Sequence, residues 1–99
     1  MRSDEQLDIL KGIFTAKTKK LYESNFMMRL AVASSSNSDW FESQLNIIDI
    51  LCALFDESVM LRNPKRAVKY LCFLIKTIDE LGLRVERAAL DFERHELLT

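Results

Sequence analysis

Between Leu45 and Leu61 the chain reads LNIIDILCALFDESVML, and at helical spacing this stretch is apolar on most of its circumference. Only Asn46, Asp49, Asp56, Glu57 and Ser58 form a polar strip. A helix of that kind has to be covered on several sides, so it is expected in the middle of the fold. Upstream, Leu7, Leu10, Phe14, Leu21, Met28 and Ala31 recur at heptad-like spacing, interrupted by Lys17 and Ser24, and predict a first helix over 4–33. Ser3 with Gln6 three residues on has the form of a capping box for its start. Gly12 lies inside it at a cost of only about 1 kcal/mol relative to alanine.

The run Ser-Ser-Ser-Asn-Ser over 34–38 competes for backbone hydrogen bonds and predicts a loop. Asp39 with Glu42 reads as the next capping box, leading into the central helix. Asn63-Pro64 disfavours helix before the proline and suits the start of a new one, so the central helix is expected to end near Leu61. Beyond it Leu71, Ile75, Ile78, Gly82, Val85, Ala89 and Phe92 alternate spacings of four and three, as one continuous helix would. Gly82 acting as a C-cap would divide that helix in two. The fold class is therefore all-α: one domain over 1–99, an antiparallel bundle of three long helices, or four if the last is broken at Gly82.

Antiparallel helices joined by short loops place level those residues whose numbers share a constant sum. Around Arg62 the sum is about 124, and around the serine loop about 73, given a rise of about 1.5 Å per residue. Cys52 then lies level with Cys72, and Phe14 with Val59. A straight last helix passes the serine-loop end near Leu83, leaving roughly 20 Å of it without a neighbour. Leu51, Leu54, Phe55, Leu71, Leu74 and Ile75 are the expected core. The two apolar helices call for more cover than the first helix can give. Either the C-terminal segment folds back to complete a four-helix bundle, or a second chain supplies the cover. The seam Val85, Ala89 and Phe92 on the overhang is the expected contact with that partner.

Composition narrows the picture further. Two glycines and one proline in 99 residues leave little room for the turns of a sheet. Fourteen basic against fifteen acidic residues give a net charge of −1, no global signature for nucleic acid or membrane. The opening MRSDEQLD has no apolar core of a secretory signal, and the longest apolar run is six residues. Two cysteines, both in apolar runs, fit a cytoplasmic protein with buried, reduced thiols.

Candidate chemistry is sparse. Lys17, Lys19, Lys20, Arg62, Lys65, Arg66 and Lys69 are placed towards one end of the bundle by the level rule. They could form a patch for an anion or acidic partner, or simply a solvated face. The join at Asn63-Pro64 does not match a helix-turn-helix. Cys52 and Cys72 lack any second ligand or C-x-x-C spacing, so no metal site is expected. His95 sits near the chain end among charges, where it suits a helix C-terminus better than a general base. Asp56-Glu57 and Asp79-Glu80 are adjacent, so their carboxylates diverge on a helix. Trp40-Phe41 reads as the closure of the core or as an exposed anchor, and Met27-Met28 as adaptable packing nearby.

No catalytic constellation and no cofactor site follow from these residues. The expectation is a non-enzymatic helical interaction protein, a small adaptor, inhibitor or chaperone-like regulatory module. It would act through a helical face on a protein partner, including a second copy of itself as a homodimer. The alternative is a nucleic-acid-associated regulator using the basic end around Arg62 to Lys69.

Overall fold

The computed structural model describes residues 2–35 and 37–98, with only the backbone of Leu98. The chain is all-α. Helix α1 spans Ser3–Lys19, a 3-10 turn follows at Lys20–Tyr22, and α2 spans Ser24–Ser34. Helix α3 spans Ser38–Met60 and α4 Pro64–Leu98. The expected bundle of three rods is present, but the break falls in the first rod and not at Gly82. Glu23 is extended (φ −71°, ψ 133°) and turns the chain between α1 and α2. The disrupted seam at Ser24 was the sign of it. Gly82 lies inside one 35-residue helix with no positive φ.

Neither capping box forms as drawn. Arg2 and Asn37 occupy the N-cap positions of α1 and α3, without side-chain cap hydrogen bonds. At the α3–α4 turn the backbone solves the problem instead. Arg62 adopts a left-handed conformation (φ 54°), and the Asn63 N–H donates to the Ser58 carbonyl at 2.9 Å, the pattern of a Schellman end. Asn63 then caps α4 by accepting from the Arg66 N–H through its side chain.

The core runs along α4. Ala67, Leu71, Leu74, Ile78, Leu81 and Val85 are buried at alternating spacings of four and three. That seam shares Leu71, Ile78 and Val85 with the expected one but passes through Leu74 and Leu81, leaving Ile75 and Gly82 on its flank. Both seams are regular in the sequence, and packing selected the one with leucines. From α3 come Phe41, Ile48 and Phe55, and from the first rod Leu7, Leu21, Leu30 and Ala33. Leu51 and Leu54, expected in the core, are half-buried.

Two contacts fix the register. The Arg84 guanidinium lies over the Trp40 ring at 4.9 Å, so α3 and α4 residues summing to 124 are level, as expected. Phe14 stacks on Phe55 with centroids 4.5 Å apart and planes 9° apart. Phe14 therefore meets Phe55 and not Val59, a slide of about one turn along α3.

The result is long and lean, 58 × 22 × 17 Å, with a radius of gyration of 16.1 Å. A compact chain of this length would have a radius near about 13 Å.

Candidate interaction surface

Helices α3 and α4 each carry more apolar circumference than the first rod covers. On α3 the Phe55 side faces α1, as the Phe14 stack shows. On α4 the Asp79 side faces α1, where Lys17 Nζ lies 3.4 Å from Asp79 Oδ1. At about 100° per residue, the flank of α4 opposite Asp79 and the flank of α3 stepping from about 60° to 140° round from Phe55 lie on the other side of the pair. On α3 this flank holds Trp40, Ile47, Leu54 and Leu61, each seven residues from the next, with Ile50 beyond them. On α4 it holds Tyr70, Phe73, Thr77 and Arg84.

These two flanks meet along a groove on the side away from α1 and α2. Leu54 is level with Tyr70, Leu51 with Phe73 and Ile47 with Thr77. Ile47 is 41% exposed, Ile50 59%, Leu61 61% and Phe73 52%. A row of large apolar side chains is left in water over about 21 Å, from Ile47 to Leu61. The expectation included exposed parts of these two helices but named residues only on the C-terminal segment.

That segment divides in two. Val85 is 1% exposed and belongs to the chain's own core, so it offers nothing to a partner. It is buried because α2 reaches past it: Asn25, Phe26 and Arg29 border the same cleft as Val85, and Val32 and Ser35 stand beside Ala88 and Phe92. Ala89 is half-buried and Phe92 exposed, and every described side chain from Leu90 to Leu97 is exposed. The expected overhang is mostly lost: Val32 and Ser35 of the α2 end border α4 as far as His95.

The basic residues are not brought together. Lys17 pairs with Asp79, and Arg62 Nη1 pairs with Asp4 Oδ1 at 3.1 Å. Those two bridges are thirteen residues apart along α1, so Lys17, Lys19 and Lys20 stand about 20 Å from the turn. The Arg66 guanidinium reaches towards the Tyr70 hydroxyl and ring, while Lys65 and Lys69 point to solvent. The predicted patch is two groups about 20 Å apart along the bundle.

The remaining candidates hold no convergent chemistry. Cys52 is half-buried and Cys72 exposed, both as free thiols. Cys72 stands about 200° around α4 from Leu74 and so points outward, which corrects the expectation of two buried thiols. Phe41 is buried against the edge of Trp40, with centroids 4.9 Å apart, and together they close the core end. Met27 and Met28 are exposed. His95 is exposed beside Val32 and Ser35. A surface cleft at Trp40 mixes Arg84, Arg87 and Arg94 with Glu80, Glu86 and Asp91. Among the described residues no cluster of three His, Cys, Asp or Glu could hold a metal, and no helix is long and apolar enough to cross a membrane.

No protein family, curated protein or solved structure matches the chain.

Proposed function

We propose that this chain is a non-enzymatic helical interaction protein, a small adaptor, inhibitor or chaperone-like module, that works as a homodimer by burying the open α3/α4 face. One observation carries the reading: Ile47, Ile50, Leu61 and Phe73 stand exposed on one face, while α1 and α2 pack along the other side of α4 and Phe14 meets α3 at Phe55. Surface of this kind is what helix-in-groove recognition and helical dimers use.

The accessible area agrees in size. The chain exposes 7123 Å². A compact monomer of 11.5 kDa would expose about 5,800 Å². The excess, about 1,300 Å², exceeds the roughly 800 Å² that each partner contributes to a standard interface. The nucleic-acid alternative has less behind it, because at the basic end Arg62 pairs with Asp4 and Arg66 leans on Tyr70, and Lys17, Lys19 and Lys20 stand about 20 Å away.

The test is the double variant Ile50→Glu with Phe73→Glu, compared with wild type by light scattering at tens of micromolar and by circular dichroism. The expected result is unchanged helicity with loss of association. Association that survives both carboxylates would refute the face.

A further inference from the structure

The charges bordering the open face specify how a second copy sits on it, an inference that rests on the interaction-protein reading above. On α3, Asp39 and Glu57 lie eighteen residues apart, which is five full turns, so both stand on one line along the helix. Ile50 falls within about 20° of that line, at the outer edge of the apolar stripe. On α4, Lys69 and Arg87 are likewise eighteen residues apart and share one line, with Lys76 about 20° away and Phe73 next to them. One border of the groove is thus acidic and the other mainly basic, with Glu80 also within about 20° of the Lys69–Arg87 line, and these charged side chains are exposed.

We infer that two copies pair face to face about a two-fold axis parallel to α3 and α4. Rotation about such an axis leaves every height unchanged. It puts α3 of one protomer on α4 of its partner, antiparallel, with the same level rule that holds inside each chain. Trp40 over Arg84 fixes that rule at a sum of 124. Asp39 with Arg87, and Glu57 with Lys69, each sum to 126, within two residues, or about 3 Å, of level. Ile50 comes opposite Phe73 of the partner subunit. The acidic border therefore meets the basic one twice in each copy, with the apolar stripes closed between them.

The other way to close the face, a two-fold axis perpendicular to the helices, stacks α4 on α4. It sets Lys69 against the partner's Arg87, and on α3 Asp39 against the partner's Glu57, while Lys76 meets the partner's Glu80. Like charges so placed disfavour that pairing. The parallel axis yields a four-helix centre of two α3/α4 pairs, flanked by α1 and α2 on both outer sides. Both C-terminal ends leave it in the same direction.

Charge reversal tests this on the full chain, by light scattering and sedimentation across a concentration series. Glu57→Lys and Lys69→Glu are each expected to raise the dimer Kd about tenfold, since each turns two attractive contacts repulsive. The double variant Glu57→Lys/Lys69→Glu is expected to return to within about threefold of wild type, because each reversed residue meets a reversed partner. A spin label at Leu97→Cys, with Cys52→Ala and Cys72→Ser, gives an independent reading. The parallel axis brings the two labels within about 30 Å, and the perpendicular axis separates them by about 70 Å.

A wild type that stays monomeric at tens of micromolar overturns the second copy as occupant, whatever else the face binds. A dimer abolished by Ile50→Glu/Phe73→Glu but not rescued by the charge swap, or with distant labels, overturns the parallel axis and leaves the face standing. A dimer indifferent to Ile50→Glu/Phe73→Glu overturns the face itself, and the inference with it.

Discussion

The two sides of the α3/α4 pair are built from the same two helices and end differently. On the closed side Phe55 stacks on Phe14, and Leu21, Leu30 and Ala33 reach the core from the first rod. On the open side Ile47, Ile50, Leu61 and Phe73 have comparable bulk and no cover. What separates them is a neighbour, not hydrophobicity. Apolar content alone therefore does not locate a core; the number of elements available to cover each face does.

Truncations should read that contrast directly. Phe55→Ala removes a side chain that is 1% exposed and leaves a cavity under α1, so it should cost about 3–5 kcal/mol in urea unfolding. Ile50→Ala, measured where the chain is monomeric, should cost less than about 0.5 kcal/mol. Equal losses at both sites would abolish the distinction between the sides.

A second pair sharpens it along α4. Val85→Ala should destabilise by about 1.5–3 kcal/mol, and Phe92→Ala by less than about 0.5 kcal/mol, although both lie on what the sequence presents as one seam. A loss at Phe92 as large as that at Val85 would mean the last turns are packed as firmly as Val85 is.

Gly82→Ala should stabilise by about 0.5–1 kcal/mol, because the added methyl meets nothing within 4 Å and the position is helical. A helix C-cap with positive φ there would give the opposite sign in a thermal melt.

The thiols make the mildest probe. Burial, then the carboxylates of Asp56 and Asp49, push the Cys52 thiol above its ordinary value of 9.0. Maleimide at neutral pH should modify Cys72 at least about tenfold faster than Cys52, as followed by mass spectrometry. The folded state holds the Cys52 proton more tightly than the unfolded chain does. That contribution to stability is complete below the ordinary thiol value and fades as pH rises through the raised one. A chain that gained stability between pH 9 and 10 would contradict this assignment.

Much of the fold was legible in the sequence, and particular residues show where legibility stopped. Trp40 over Arg84 obeys the level rule because a short turn leaves two helices little freedom to slide. The heptad spacing of α4 announced one long helix but admitted two seams, and only the leucines at 74 and 81 packed against α3 decided between them. The bend at Glu23 was written faintly, as a polar interruption. The slide that brings Phe14 to Phe55 and carries α2 past Val85 is a tertiary consequence that no local pattern carries. The open face was implicit in counting surfaces that need cover. The scattering of the basic patch was not, since it depends on how far α1 slides along its neighbours.

The bend at Glu23 also divides the first rod in time. Helix α2 is eleven residues long, shorter than the length at which an isolated helix holds in water, and of its side chains only Leu30 and Ala33 are buried. Set free from α1 by an extended residue, it can lift from α4 without unwinding what precedes it. Amide exchange in α2 should then outpace that in the Leu71–Leu81 stretch of α4 by the full difference between a local opening and global unfolding. Each such opening would briefly wet Val85 and Leu81 from the closed side, and the molecule's slowest-exchanging amides would mark how much of α4 stays dry throughout.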